Sequence, residues 1–147
     1  LGATARPGWP EELDLVVVGP RGWGNLQLPE GRRVTLLGKV SDADLAVAYA
    51  RAAVVVVPSR SEGFGLPVLE AMTHGTPVVV TEVPALLEVG ADAVVPVPVG
   101  DADALARGVA EALAASVGLG AAGRERARAY SWDRAASACR EIYVSLG

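Results

Sequence analysis

Short apolar runs rich in valine alternate along this chain with segments that carry the spacing of amphipathic helices. Leu13–Gly19 and Arg33–Gly38 are the first two runs, and each ends at glycine, as buried strands do at the edge of a sheet. Three later runs, AVVVVP, TPVVVTE and AVVPVPV, predict further strands. The predicted helices are SDADLAVAYARA, LPVLEAMTHG, DADALARGVAEALAA, AAGRERARAY and SWDRAASACREIYVSL. This alternation predicts an α/β fold with a parallel sheet that helices cover on both faces.

The loop SRSEGFG lies between the third predicted strand and the second predicted helix. In parallel sheets of this kind, ligands bind at the carboxyl ends of the strands. Gly63 and Gly65 lack side chains, so backbone N–H groups can approach a bound group closely, and the helix start favours phosphate. Glu62 and Glu70 add a carboxylate on either side of the helix start, and carboxylates accept hydrogen bonds from sugar or ribose hydroxyls. The residue types in this loop therefore favour a ligand site.

A structural role for the same polar residues stays open. Glu62 and Glu70 also complement the dipole of a helix start, and the glycines also shape a turn. His74 stands at a predicted helix end, beside Gly75, where an imidazole eases unpaired carbonyl groups. The stretch AASVGLGAAG predicts a flexible connection between the last helices, and the basic run RERARAY predicts a solvated helix face. Two Asp-Ala-Asp stretches fit helix starts better than metal binding: Asp42–Asp44 and Asp101–Asp103.

Composition narrows the classes of function. The 147 residues, 51% of them hydrophobic, predict one domain with a single core. A net charge of -4 without a polybasic stripe argues against nucleic acid as a partner. The single cysteine, Cys139, and the single histidine cannot form a metal cluster, so we expect neither a metal nor another cofactor. For Cys139 we expect a buried or half-buried thiol in a reducing compartment. The apolar runs are too short to span a bilayer and no signal peptide is recognisable, so we expect a soluble, cytoplasmic chain.

The motif EGFGLPVLE, followed by AMTHGTPVV, resembles the E-x7-E motif of the retaining glycosyltransferases of the family 4 kind, the glycosyl transferases group 1. Other stretches resemble the same family in their usual order, among them VVVG, VTLLGKVSDADLAVAYARAAVVVVPS and VPALLEVGADAVVPVPVGDADALARGVAEAL, so that the similarity runs from about Leu13 to Trp132 and beyond. The resemblance implies a Rossmann-like domain that forms one half of a GT-B fold. In such enzymes the C-terminal half holds the nucleotide-sugar donor, and this chain resembles that half.

The resemblance also implies roles for the motif residues. Glu62 would contact the donor sugar as the catalytic residue, and Glu70 would bind ribose hydroxyls as a donor-binding residue. The backbone of four donor-binding residues would meet sugar hydroxyls and phosphate: Gly63, Phe64, Gly65 and Leu66.

Two other loops acquire donor-binding roles from the same resemblance. Gly38, Lys39 and Val40 would lie beside the base. Gly19 would open the loop nearest the phosphates, and the stretch GPRGWG that begins there predicts a turn, since it lacks the spacing of nucleotide-binding fingerprints.

The chain departs from the family in what it lacks. Family members usually carry an arginine and a lysine that clamp the diphosphate, and neither has a counterpart here. The only lysine, Lys39, lies in the loop beside the base, and Arg6 lies in a segment without the corresponding motif. We therefore expect residues 1–147 to be a single nucleotide-sugar-binding domain truncated at its N-terminus. The N-terminal acceptor domain would be a missing partner in the same enzyme, which is also the route by which the enzyme would reach a membrane surface. The isolated chain is expected to be inactive.

Three functions remain in view. The first is the donor-binding part of a glycosyltransferase that transfers a hexose from a nucleoside diphosphate sugar. The second is a non-catalytic module of the same fold that binds a nucleotide or sugar phosphate. The third, an unrelated doubly wound domain, is disfavoured because no dinucleotide fingerprint is present.

Overall fold

The structure, a computed structural model, describes residues 2–20 and 34–146. The strands in these residues are β1 (Leu15–Val18), β2 (Val34–Gly38), β3 (Val55–Val57), β4 (Val78–Thr81) and β5 (Val95–Val97). Every described strand pair is parallel, in agreement with the predicted α/β fold. Hydrogen bonds divide the strands into two groups, β1-β2 and β3-β4-β5, instead of joining them in one continuous sheet. Arg33, the predicted start of the second strand, lies outside the described residues.

Six helices of at least seven residues lie in the described part of the chain. None of these described helices is by itself long and apolar enough to cross a membrane. One bent pair reaches that length and apolar composition when taken together, namely Ala102–Ala114 with Ser116–Leu146, at an angle of 89°. The helices are α1 (Asp42–Arg51), α2 (Leu66–His74), α3 (Pro84–Gly90), α4 (Ala102–Ala114), α5 (Ser116–Ala127) and α6 (Trp132–Leu146), with short 3-10 turns at Gly2–Ala5 and Ala91–Ala93.

The core lies on both faces of the β3-β4-β5 sheet, because the side chains of β4 alternate between two apolar clusters. Val78 and Val80 pack on one face with residues of α2 and α3, among them Met72 and Leu86. Val79 packs on the other face with residues of α4 and the N-terminal turn. A strand buried on both faces reads as a continuous apolar run, and the valines of β4 follow this rule. The predicted cover of helices on both faces is confirmed for this sheet.

The β1-β2 pair is less buried than its sequence predicts. Val16 is 50% exposed and Leu37 is 48% exposed, although both lie in runs typical of buried strands. The prediction of burial is wrong for these strands because a run of β-branched residues reports strand propensity, whereas burial depends on which other elements pack against the strand.

Helix α5 corrects the prediction of a flexible connection at AASVGLGAAG. Residues 116–127 form one helix that contains Gly118, Gly120 and Gly123. Glycine weakens an isolated helix, but it lets two helices approach closely. A Cβ at Gly123 would lie 3.1 Å from Cγ of Met72 in α2, so close packing onto α2 offsets the low helix propensity.

The prediction of a solvated basic face holds for Arg124 and Arg128, which are exposed, whereas Arg126 is half-buried. Nη2 of Arg124 donates a hydrogen bond to the carbonyl oxygen of His74, 3.0 Å away, at the end of α2. Arg126 donates from Nη2 to the carbonyl of Glu88 (2.7 Å) and from Nε to the carbonyl of Val89 (3.0 Å), at the end of α3. Both side chains thus satisfy helix-terminal carbonyl groups, whereas Arg128 pairs with its own helix neighbour in solvent.

Helix α6 is exposed along its whole described length. Trp132 is 82% exposed, and Cys139 is exposed as well. The prediction of a buried or half-buried thiol is therefore wrong. The cause is that none of the described α6 residues is buried against the rest of the chain.

Candidate functional site

The glycine-containing loop of residues 58–65 joins β3 to α2, at the carboxyl end of the strand, as predicted. Gly65 is the N-cap of α2 and adopts a left-handed conformation, with φ +98° and ψ 42°. A Cβ at this position would lie 2.8 Å from Cδ2 of Leu86. The left-handed backbone therefore favours glycine at residue 65, and a Cβ there would also oblige the side chain of Leu86 to shift. Gly63 differs, because a Cβ there would meet nothing within 4 Å.

Several backbone N–H groups of the loop have no acceptor among the described residues. Within the described part of the chain, the N–H groups of residues 63–66 have no hydrogen-bond acceptor, and the first bond of α2 runs from the N–H of Val68 to the carbonyl of Gly65 (3.0 Å). Gly63, Phe64 and Leu66 are exposed, whereas Gly65 is buried. Pro67 follows in the first turn of α2, where a missing N–H costs nothing. Unpaired N–H groups at the start of a helix carry partial positive charge and suit an anion.

Glu62 is held in place from within its own loop. The hydroxyl of Ser59 donates a hydrogen bond to Oε2 of Glu62 at 3.2 Å, and Glu62 is half-buried. The hydroxyl of Thr81, at the carboxyl end of β4, donates in turn to the backbone carbonyl of Ser59. The start of the loop is thereby attached to the neighbouring strand, and the second oxygen of Glu62 has no partner in the described chain.

Glu70 is held by a residue of another helix. The phenol of Tyr49 in α1 donates a hydrogen bond to Oε2 of Glu70, with an oxygen–oxygen distance of 2.9 Å. The pKa of Tyr49 lies well above its usual value, chiefly because burial disfavours the phenolate and then because of the hydrogen bond to Glu70 and its negative charge. The phenol therefore stays protonated and remains a donor to Glu70 at neutral pH.

Phe64 is supported from the end of α5. Its ring meets that of Tyr130 edge to face, with centroids 5.9 Å apart and planes at 79°. Nη2 of Arg126 lies 2.9 Å from the phenol oxygen of Tyr130, and the guanidinium carbon lies 5.2 Å from the ring centroid. Such edge-to-face and cation-aromatic contacts each favour one ring orientation. Phe64 is thus supported by Tyr130, whose own position is set by Arg126, the residue that also bonds to the carbonyls at the end of α3.

The predicted donor-binding loops after β1 and β2 contact each other at the carboxyl ends of these strands. Gly19 follows β1 with φ +129°, Gly38 ends β2 with φ +67°, and the N–H of Gly19 donates to the carbonyl of Gly38 at 2.8 Å. Lys39 is exposed and Val40 is half-buried between β2 and α1. No described hydrogen bond or ion pair joins these residues to the 58–65 loop, and residues 21–24 of the predicted turn lie outside the described part of the chain.

The structural interpretations made for other polar residues are largely confirmed. Ser41 caps α1, with its hydroxyl 3.2 Å from the N–H of Asp44, and Asp101 caps α4, with Oδ1 2.8 Å from the N–H of Ala104. His74 is the last residue of α2 and lies against the ring of Tyr49, with centroids 6.2 Å apart. Residues 2–20 and 34–146 contain no group of three or more His, Cys, Asp or Glu residues placed to hold a metal ion.

Sequence reasoning missed the residues that hold the site. Three of them contact motif residues, namely Tyr49, Ser59 and Tyr130. Thr81 instead holds the carbonyl of Ser59. None of the four was singled out from the sequence. Ser59 had only its proximity as a signal, since it lies three residues before Glu62. Tyr49 had a topological signal, because α1 and α2 flank the same strand and helices that flank one strand on the same face pack together.

The profile of the family described as glycosyl transferases group 1 matches residues 4–115. The chain belongs to this family. Its relatives include the O-antigen chain mannosyltransferase B of Escherichia coli, which is 37% identical over 142 residues, covering 90% of this chain and 37% of the relative. The phosphatidyl-myo-inositol mannosyltransferase of Mycobacterium leprae is 34% identical over 145 residues, covering 92% of this chain and 39% of the relative. The chain thus spans less than two-fifths of the length of either glycosyltransferase.

Two solved structures share the fold. Sucrose-phosphate synthase from Thermosynechococcus elongatus superposes with a TM-score of 0.71 at 39% sequence identity, covering 79% of this chain and 31% of that chain. HepE of Anabaena, in complex with UDP, superposes with a TM-score of 0.70 at 20% identity, covering 94% of this chain and 42% of that chain. The second likeness concerns the fold alone. Together they support the predicted α/β, GT-B type of architecture.

Proposed function

We propose that this chain is the donor-binding part of a retaining glycosyltransferase that transfers a hexose from a nucleoside diphosphate sugar. The observation that carries the proposal is the loop of residues 58–65, where four backbone N–H groups without acceptors lie between two anchored carboxylates. The 37% identity to a mannosyltransferase supports a hexose as the transferred group.

Each part of the proposed E-x7-E motif has a chemical task. The N–H groups of residues 63–66 bind donor oxygens and stabilise the negative charge that collects on the diphosphate as the glycosidic bond breaks. Glu62 contacts the donor sugar, and Glu70 accepts hydrogen bonds from the ribose hydroxyls. Gly38, Lys39 and Val40 lie beside the base, and Gly19 lies beside the phosphates.

We also propose that the chain acts as one domain together with an acceptor domain of the same enzyme. The support is the size of the relatives, since the chain covers only 37% and 39% of the two mannosyltransferases. Acceptor choice and turnover would then depend on that second domain, while donor affinity belongs to this chain.

Donor binding is tested by isothermal titration of the chain with GDP-mannose, UDP-glucose, ADP-glucose and their bare diphosphates. We expect saturable binding of one nucleotide sugar without added metal. Glu70→Ala should weaken that binding by about tenfold or more, the effect of losing hydrogen bonds to a charged acceptor. Because Glu70 is exposed, the melting temperature without ligand should change little.

Glu111→Ala is the matched control, since Glu111 is an exposed helical glutamate of α4, on the opposite side of the sheet. Equal affinities of Glu70→Ala and Glu111→Ala would contradict the role of Glu70. A lower melting temperature with unchanged affinity in Glu70→Ala would make Glu70 a purely structural residue.

A non-catalytic binding module is the second candidate, and what favours it is the lack of counterparts in the sequence for the arginine and lysine that clamp the diphosphate in family members. Lys39 is the only lysine, and exposed Arg60 forms no ion pair in the described chain. The module would bind bare diphosphates as tightly as nucleotide sugars. A clear preference for one nucleotide sugar over its diphosphate would exclude it.

A further inference from the structure

Tyr49 contacts α2 and its C-terminal end at three points. Its phenol donates to Oε2 of Glu70 at 2.9 Å, and its ring lies against that of His74. Its backbone carbonyl accepts a hydrogen bond from the hydroxyl of Thr76, which is buried, at 2.7 Å. Because its backbone carbonyl, its ring and its hydroxyl all contact neighbouring residues, Tyr49 has little freedom to move away from Glu70.

The contact with Tyr49 determines how Glu70 presents its carboxylate. Glu70 is exposed, and an exposed glutamate ordinarily samples several rotamers. Oε2 is directed to the phenol, and Oε1 has no partner in the described chain, so it can accept from a hydroxyl group. Each carboxylate oxygen accepts more than one hydrogen bond, so Oε2 also keeps acceptor capacity beside the phenol.

We infer that Tyr49 is a positioning residue that orients the Glu70 carboxylate for the two hydroxyls of a nucleotide ribose. The inference rests on the proposed function, because it requires Glu70 to be the ribose acceptor. Orientation matters here because a hydrogen bond weakens steeply as its angle departs from linearity, so that two adjacent hydroxyls need one carboxylate orientation.

Packing of the Tyr49 ring does not by itself require a hydroxyl group at residue 49. Phenylalanine would fill the same space and keep the contact with His74. The hydroxyl therefore contributes chiefly through Glu70. The raised pKa of Tyr49 agrees with this, since the hydrogen bond to Glu70 and its charge are among its causes.

The test compares GDP, UDP and ADP with their 2′-deoxy counterparts, by titration into the 147-residue chain. In the wild-type chain, the best of the three diphosphates should bind about tenfold more tightly than its 2′-deoxy form, which lacks one hydroxyl for Glu70. Tyr49→Phe should reduce that preference to about threefold or less, with a smaller effect on the 2′-deoxy form. Tyr143→Phe, on exposed α6, should leave both affinities unchanged.

A double-mutant cycle separates positioning from packing. If Tyr49 acts through Glu70, the Tyr49→Phe substitution has no further effect on ribose preference in a Glu70→Ala chain. Thermal unfolding of each variant ensures that titrations are made well below its melting temperature. An effect of Tyr49→Phe that persists without Glu70 would overturn the inference.

The remaining outcomes distinguish this inference from the proposed function. Failure of the wild-type chain to bind any of the diphosphates or nucleotide sugars would count against the proposed function and, with it, the inference. Binding with ribose preference that Tyr49→Phe leaves intact would overturn the inference alone. Binding of ribose and 2′-deoxyribose forms with equal affinity would overturn it too, because Glu70 would then not contact the 2′-hydroxyl.

Discussion

Gly120 of α5 lies directly against the carbonyl of Gly75, the C-cap of α2, and a Cβ at Gly120 would overlap that oxygen. Gly75 itself has φ +71° and donates its N–H to the carbonyl of Met72 at 2.9 Å. The backbones of two helical segments therefore meet without an intervening side chain. This contact places α5, and the arginines that it carries, over the ends of α2 and α3.

Gly120→Ala should destabilise the chain, because the atom in its way is backbone and cannot move aside cheaply. We expect a loss of about 1–3 kcal/mol in the free energy of unfolding, the usual cost of overpacking. Gly118→Ala is the control in the same helix, since a Cβ there meets nothing within 4 Å. That change should stabilise the chain by about 0.5–1 kcal/mol through helix propensity. Urea unfolding measures both, and equal effects would contradict the close approach.

Gly63 and Gly65 should respond differently to alanine. Gly65→Ala should cost about 1–3 kcal/mol of stability, because φ is +98° and the new Cβ meets Leu86. Gly63→Ala should leave stability within about 0.5 kcal/mol, since the space around it is open. If the loop binds a donor, the same Gly63→Ala change should weaken nucleotide-sugar affinity. Thermal unfolding and titration of both variants check this, and unchanged affinity for Gly63→Ala would place the ligand elsewhere.

Because the pKa of Tyr49 is raised in the folded chain, the free energy of unfolding should depend on pH in the alkaline range. The folded-state pKa lies above the unfolded value of about 10, chiefly through burial and then through Glu70, so the folded chain binds this proton more tightly. The resulting stabilisation is complete below about pH 10 and is lost as the pH rises towards the folded-state value. Urea unfolding between about pH 9 and 11 should show a steeper fall for the wild type than for Tyr49→Phe. Parallel curves would show that Tyr49 ionises as it does in the unfolded chain.

Tyr130 should protect the loop from proteolysis at Phe64. Tyr130→Ala removes the edge-to-face partner of Phe64, so the loop should open more often and chymotrypsin should cut after Phe64 several times faster, roughly as the opening equilibrium shifts. Tyr130→Phe keeps the ring and should keep most of the protection. Mass spectrometry of the fragments identifies the cut. Equal cleavage rates in the wild-type and Tyr130→Ala chains would refute the support of Phe64 by Tyr130.

Several features of the fold could be predicted from the sequence because residues close to one another in the chain determine them. The caps at Ser41 and Asp101 and the left-handed Gly75 are set by residues within a few positions, and the structure confirms them. Helix α3 was not predicted, since seven residues that begin with proline and end with glycine carry too little periodicity to indicate a helix. The helix at AASVGLGAAG was missed because its stability comes from packing on α2, which its own composition does not report.

The candidate site, too, could be predicted from the sequence only in part. The loop and its motif glutamates could be located from sequence because they lie within nine consecutive residues, 62–70. Their partners could not, because Tyr49 is 21 positions from Glu70, and Thr81 is 22 positions from Ser59. Which long-range pairs meet depends on how the helices and strands pack, and a single sequence leaves several arrangements open.

The attachment of the loop at both ends has an energetic consequence for any ligand that it receives. Thr81 holds the carbonyl of Ser59 at one end, and the left-handed Gly65 fixes the other at the start of α2. Ordering a loose loop on binding subtracts conformational entropy from the affinity. Here that ordering takes place during folding, so a bound anion meets a preorganised set of donors and retains more of the interaction energy as affinity.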